Sequence, residues 1–316
     1  MYGVGMGAGA PFLEKAGAYV KLEVDGTLTL AVGNTEMGQG AETVLAQIAA
    51  DPLGLEVEKV DLTDVDTSRV PDSGPTVASR TTTMAGNAII DALKTLKKRI
   101  GAVARELLNC SGVLFENGHV VDSEDKSSRI SLEEVAGEMW SQNVDLAAEG
   151  WARKGMKNWK PETGQGDAYF VYSYAAHVSE VEINSMTGQA KVTQHVAVHD
   201  SGRIINPTTA AGQVEGGVAQ GIGYALTEDL AEEEGKFLDP DFTNYLMPTS
   251  QDVPDNLVVD FVEADYPEGP YGAKGLGEVP LMAAHAAVIN AVSDAIGERV
   301  FEYPATPEKI LRAYLR

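Results

Sequence analysis

Two stretches of this chain alternate apolar and polar residues, break at a glycine-containing turn, alternate again, and then change to the spacing of a helix. The first reads YVKLEVDGTLTLAVGNTEMGQGAETVLAQIAA and turns at Asp25 and Gly26. The second reads HVSEVEINSMTGQAKVTQHVAVHDSGRIINPTTAAGQVEGGVAQGIGYAL and turns at Thr187 and Gly188. Period-two alternation predicts strands, and the recurrence at three and four residues that follows predicts helices. Each stretch also sets a glutamine beside glycine around its helix start, Gln39 and Gln213. The repetition predicts a duplicated hairpin-plus-helix unit, hence an α+β fold of two related lobes, each a β-hairpin or sheet packed with helices.

Between the stretches, Met84, Ala88, Leu93, Leu96, Ile100, Val103 and Leu107 recur at helical spacing and predict one long amphipathic helix. An Asn117-Gly118 hairpin and a short helix over residues 131–140 follow, then a polar connection over 141–168. That connection places the lobe boundary near residue 145, giving lobes 1–145 and 146–316. The acidic run Glu232, Glu233 and Glu234 ahead of Gly235 is read as a solvated turn.

Composition narrows the partners. The 316 residues are 44% hydrophobic, enough for a sizeable core, and carry 24 Lys plus Arg against 47 Asp plus Glu. A net charge of −23 opposes nucleic acid and anionic lipid as partners. There is no basic leader and no apolar run of membrane-spanning length, which predicts a soluble, cytoplasmic protein. Cys110 is the single cysteine, so this chain alone builds neither a disulfide nor a Cys-ligated iron–sulfur or zinc site. Any redox chemistry must pass its electrons to another chain.

Candidate chemistry gathers at loops that lead into helices. Glu278 stands isolated in GAKGLGEVPL, just before a helix expected to open at Pro280. It reads either as a general base or as a surface carboxylate near a helix start. The stretch DSGPTVASRTTTMAGNA sets Ser79, Arg80, Thr81 and Thr82 at the start of the long helix, as an anion site or as an N-cap. TEMGQG also leads into a helix but lacks the features of a P-loop or a dinucleotide fingerprint. Gly216, Gly217, Gly221 and Gly223 weaken a helix unless close packing or a flat ligand requires them. Gly3, Gly5, Gly7 and Gly9, if extended, would leave one bare strand face. His195 and His199 share a strand face before Asp200, which by itself is thin support for a metal site.

In this order, GNTEMGQGAETVLAQIAA, GPTVASRTTTMAGNAI, HDSGRIINPTTAAGQVEGGVAQGIGYAL and GAKGLGEVPLMAAHAAV resemble the C-terminal half of the molybdenum-binding subunit of the xanthine dehydrogenase and aldehyde oxidoreductase family. The resemblance covers nearly the whole chain. It implies molybdopterin contacts at Met37, Gly38, Gln39 and Gly40, at Ala78, Ser79, Arg80, Thr81 and Thr82, and at Gln213, with Gly277 in the loop that passes the metal. It implies that Glu278 is the catalytic base, deprotonating the oxygen that attacks an electron-poor carbon. No protein side chain is implied as a metal ligand.

Where xanthine-oxidising members carry a phenylalanine, the alignment sets Ala8, which favours another N-heteroaromatic, nicotinate-like or bulkier, or an aldehyde; Tyr2 is a further candidate for the substrate pocket. Upstream GGxFG-type and FRGFG-type segments of the family are not in this sequence. The resemblance therefore implies one half of a split subunit, as in nicotinate dehydrogenase. Its expected partners are a larger molybdopterin-binding chain, a [2Fe–2S] chain and an FAD chain, and the pterin either does or does not carry a cytosine nucleotide. The competing expectation is a non-catalytic scaffold or cofactor-handling paralogue.

Overall fold

The predicted hairpins form, and each is extended into a sheet by the same device. A computed structural model describes residues 1–155, 158–238 and 241–315, and its chain divides into two compact units. The amino-terminal unit comprises Gly3–Val171 and Asp265–Gly275; the carboxy-terminal unit comprises Met1–Tyr2, Tyr172–Ala264 and Leu276–Arg316.

In the amino-terminal unit, strand Lys15–Leu22 pairs antiparallel with Leu28–Val32, and helix α1 (Ala41–Ala50) carries the chain over to Val60–Leu62, which pairs parallel with Leu28–Val32. Strand Ala147–Arg153 closes the other edge, antiparallel to Lys15–Leu22. Helix α2 (Thr81–Leu108) packs on Lys15–Leu22 and Ala147–Arg153. Its stripe of Met84, Ala88, Ile89, Leu93, Leu96 and Ile100 is at most 1% exposed, each large side chain contributing about 1.5–3 kcal/mol by leaving water. Leu107, the last residue of the predicted stripe, is 41% exposed because the helix has run past the sheet it covers. The Asn117-Gly118 turn joins the first two strands of a three-stranded sheet, Val113–Glu116, His119–Asp122 and Arg129–Ser131. Helix α3 (Leu132–Ser141) then starts on a capping box between Ser131 and Glu134.

In the carboxy-terminal unit, Val171–Ile183 pairs antiparallel with Ala190–Asp200, and helix α4 (Pro207–Leu226) precedes Asn256–Phe261, which pairs parallel with Ala190–Asp200. The shared rule is therefore hairpin, helix, parallel return strand, which extends the predicted duplication to sheet order. Parallel pairing needs a crossover connection, and α1 and α4 serve as its helical part. Val192 and Ala197 of the sheet join Val214, Val218 and Ile222 of α4 with Val288 and Val292 of α5 (Leu281–Ile296) in one apolar core, to which Ile310 of α6 (Pro307–Tyr314) is added.

Two expectations are corrected. The chain divides at Val171 and Tyr172 rather than near residue 145, because Ala147–Arg153 completes the first sheet and 265–275 returns to that unit. Residues 156 and 157 of the polar connection lie outside the described residues. The amino-terminal glycines are extended only over Tyr2–Val4; Gly7–Gly9 and Pro11–Leu13 form 3-10 turns, and the Tyr169 ring fills the space beside Gly3 and Gly7. The Glu232–Glu233 and Lys236–Phe237 hairpin is exposed, as a solvated turn should be.

Candidate cofactor and catalytic site

The loop at residues 35–40 closes around a carboxylate that the sequence did not single out. Glu36 Oε1 accepts the backbone N–H groups of Met37 (3.1 Å), Gly38 (2.8 Å) and Gly40 (3.0 Å), and its Oε2 accepts Glu42 N–H at 3.1 Å. Burial raises the Glu36 pKa, but the four backbone donors outweigh it and hold the carboxyl below its ordinary range. This side chain occupies the donors at the start of α1, so the loop presents its exterior: Met37 is 69% exposed, and Gln39 spans the loop from Thr35 O (2.9 Å) to Met37 N–H (2.6 Å).

The start of α2 is built differently. Ala78 and Ser79 both adopt left-handed backbone with φ of 54°, Arg80 occupies the N-cap position, and no side chain caps the helix. The Ser/Thr N-cap expected as one alternative is therefore not formed. Thr81 and Thr82 are partly exposed in the first turn, while the Oγ1 of buried Thr83 has no hydrogen-bond partner.

Arg80 is corrected as a direct ligand contact. Its side chain is 0% exposed and all five of its N–H groups are directed at protein oxygens: Nε at Glu14, one Nη at Ser73 O and Pro75 O, the other at Leu13 O and Lys15 O. No donor is left for a ligand. A β-carbon on Gly275 would lie 1.5 Å from Ser79 O, so the glycine of the 275–277 motif in this unit is required by the loop crossing Ser79.

In the carboxy-terminal unit, Gln213 lies on α4, half-buried and seven residues beyond its Asn206 cap rather than at the helix start. The glycines downstream serve helix packing: a β-carbon at Gly217 would meet Pro280 at 2.4 Å and one at Gly221 would meet Ala284 at 2.4 Å. Glu278 is exposed, as is Gly277 beside it, and the Tyr2 hydroxyl donates to Glu278 Oε2 at 2.7 Å. Pro280 is helical but stands at the N-cap, one residue before α5.

His195 and His199 do share a face, but the register sets His177 opposite Ala197 and so between them. His177 Nδ1 lies 3.0 Å from His195 Nε2, His177 Nε2 lies 2.9 Å from His199 Nε2, and Ser179 Oγ lies 2.6 Å from His195 Nδ1. The nitrogens face one another instead of converging on a point, and among the described residues no group of three or more His, Cys, Asp or Glu is arranged to hold a metal. Burial, then the neighbouring imidazoles, push His177 down to about 3; burial pushes His195 and His199 down to about 4. His177 went unnoticed in the sequence because it lies on the other strand of the hairpin, and only the pairing register brings it in.

The candidate residues are thus distributed by unit: 37–40 and 78–82 with Ala8 in the amino-terminal one, Tyr2, Gln213, Gly277 and Glu278 in the carboxy-terminal one. Comparison with known proteins gives this arrangement a context. A family model described as a molybdopterin cofactor-binding domain matches residues 1–254. The chain is 33% identical to the 6-hydroxypseudooxynicotine dehydrogenase complex subunit gamma of Paenarthrobacter nicotinovorans, over 98% of its own length and 39% of that protein's. It is 32% identical to the aldehyde oxidoreductase of Megalodesulfovibrio gigas, over 97% of its own length and 31% of the relative's. It superposes on quinoline 2-oxidoreductase from Pseudomonas putida 86 with a TM-score of 0.85 at 29% identity, covering 96% of this chain and 38% of that one. The chain spans well under half the length of each of these relatives.

Proposed function

The chain belongs to the molybdopterin-binding xanthine dehydrogenase and aldehyde oxidoreductase family, and from that premise we propose that it holds molybdopterin and carries the catalytic base within a larger molybdenum hydroxylase. The residues present suit such a cofactor. Molybdopterin is anionic and rich in hydrogen-bonding groups, and α2 offers it a 28-residue helix with an uncapped amino terminus, the hydroxyls of Ser79, Thr81 and Thr82, and the orphaned Thr83 Oγ1. Met37, Gly38, Gln39, Gly40 and Ala78 are assigned to the cofactor with them, as are Gln213 and Gly277, whereas Arg80 supports the loop from behind. The metal would be held through the cofactor rather than by side chains of this chain.

When bound, the cofactor supplies the two-electron acceptor and activates the oxygen to be inserted. This chain contributes Glu278, whose carboxylate receives the proton released from that oxygen as it attacks the substrate carbon. Tyr2 orients the carboxylate through the bond to Oε2. That exposed, hydroxyl-oriented carboxylate is the observation that carries the reading. Ala8 leaves room for an N-heteroaromatic ring or an aldehyde as substrate. Electrons would pass to a [2Fe–2S] chain and an FAD chain, because one cysteine cannot ligate a cluster. A larger molybdopterin-binding chain or segment would complete the pocket, with the pterin bare or in its cytosine dinucleotide form and the complex in the cytoplasm.

The test is molybdenum per chain, by elemental mass spectrometry, on the complex that a tag on this protein isolates from its source, followed by the Glu278→Gln variant. Near one molybdenum per chain is expected. The variant should keep its molybdenum while turnover falls by roughly 10²–10⁴-fold, the usual contribution of a positioned base. Near-normal turnover would remove Glu278 from the mechanism, and a complex isolated without molybdenum from molybdenum-replete cells would favour a scaffold.

A further inference from the structure

Glu14 is 2% exposed and sits where the 3-10 turn Pro11–Leu13 meets the strand Lys15–Leu22. Its two oxygens serve two different segments. Oε1 accepts the backbone N–H groups of Met6 and of Gly7, the latter at 3.1 Å, and Oε2 accepts Arg80 Nε at 3.2 Å. A second link runs in parallel: Gly5 N–H donates to Ala78 O at 2.9 Å. The space beside Gly5 is closed by the Phe170 ring and by Glu14, since a β-carbon there would lie 2.4 Å from Phe170 Cε1 and 2.5 Å from Glu14 Oε1.

Left-handed backbone at non-glycine residues persists only where the surroundings impose it, and Ala78 and Ser79 are two such residues in succession. What imposes it here is Arg80, anchored to carbonyls of residues 13, 15, 73 and 75, and Gly275 passing against Ser79 O. Glu14 ties that rigid turn to residues 6 and 7, at the start of the 3-10 turn that holds Ala8, whose own N–H is fixed by Ala168 O at 2.7 Å.

We propose that Glu14 is a positioning residue that locks the segment carrying Ala8 to the Ala78-Ser79 turn, so that the substrate-side and cofactor-side walls of the pocket move as one body. The functional half rests on the reading that Ala8 and residues 78–82 line that pocket; the mechanical half does not. A carboxylate is the side chain suited to the task, because it accepts on both oxygens at once and balances the buried guanidinium. Glutamine keeps the shape but offers one accepting oxygen, so one of the two links must fail.

The experiment is hydrogen exchange by mass spectrometry on the intact complex, wild type against Glu14→Gln, with molybdenum content and steady-state kinetics on the same samples. Amides of residues 5–10 and 78–84 should both exchange about tenfold faster or more, the scale of a lost charge-assisted hydrogen bond, while Leu28–Val32 stays protected. Molybdenum should be retained, with KM raised about tenfold and kcat changed much less, a division that general loosening of the fold would not produce. Acceleration in one segment alone, or in neither, overturns the coupling. Should Glu14→Gln fail to accumulate, Arg80→Lys retains both charges and the Met6 and Gly7 bonds; its disturbance of 78–84 must then reach 5–10, and confinement to 78–84 overturns the proposal. Coupled exchange in a complex that holds no molybdenum would uphold the clasp while rejecting the cofactor reading.

Discussion

In the amino-terminal unit a guanidinium and a carboxylate are buried together, Arg80 and Glu14 at 3.2 Å; in the carboxy-terminal unit buried His195 and His199 flank half-buried His177 in a row of imidazoles whose partners among the described residues carry no opposite charge. The first cluster keeps its charge by satisfying it. A buried ion pair is tolerated only when its remaining donors and acceptors are also matched, and here every guanidinium N–H and both carboxylate oxygens have partners. The second cluster avoids charge. Three neutral imidazoles supply three N–H groups, two of which complete the links through His177, while the third serves either the Ser179 end or His199 Nδ1. That nitrogen is the one end of the row without a partner. Full satisfaction makes the first cluster rigid, whereas neutrality makes the second dependent on pH.

Acid should separate the two most strongly. The histidine pKa values are about 3 to 4 in the folded chain, below the ordinary 6.5, so the unfolded chain binds more protons between these values. Their contribution to stability is therefore complete above pH 6.5 and is lost as pH falls toward 4. The slope is about 1.4 kcal/mol per pH unit for each histidine, several kcal/mol in all by pH 4.5. Amide exchange between pH 7 and 4.5, corrected for the intrinsic rate, should show Ala190–Asp200 losing protection well before Lys15–Leu22. Equal loss in both strands would dissolve the contrast.

Replacing the centre of the row sharpens the same comparison with a smaller effect. His177→Leu strands one nitrogen each on His195 and His199, costing about 1–3 kcal/mol apiece at neutral pH, yet it removes the most strongly shifted group. Urea unfolding at pH 7.5 and pH 5 should therefore give a variant less stable than wild type at the higher pH and less sensitive to acid. A variant with unchanged acid sensitivity would show that the row does not titrate as a unit. The smallest effect tests packing alone. Gly216→Ala, at an α4 position with open space around it, should gain up to about 1 kcal/mol from helix propensity, whereas Gly221→Ala, 2.4 Å from Ala284, should lose about 1–3 kcal/mol. Thermal melts distinguish these signs, and a stabilised Gly221→Ala would remove the packing reason for that glycine.

Much of the architecture was legible because it is periodic. The hairpins turning at Gly26 and Gly188, the stripe of α2 and the short helix over 131–140 each follow from a few neighbouring residues, and each forms where the pattern places it. The domain boundary was not legible, since pairing of Ala147–Arg153 with Lys15–Leu22 is a choice between distant segments. Among the candidate site residues, the motifs identified the loops but not the task of each side chain. Arg80 reads as a ligand contact beside Ser79 and is instead enclosed by five protein oxygens. Glu36 and Glu14 carry no motif, yet one fills the start of α1 and the other joins two segments.

By itself, then, the sequence determined the repeated hairpin-and-helix plan, the long central helix, the family and the isolation of Glu278 among glycines, because local periodicity and ordered motifs are properties of adjacent residues. Only the tertiary structure decided that Glu14 faces Arg80, that His177 sits between His195 and His199, and that Gly275 is small because Ser79 O lies against it. These are meetings between residues far apart in the chain, set by strand register and by the packing of α2 on its sheet, and no spacing in the sequence encodes them locally.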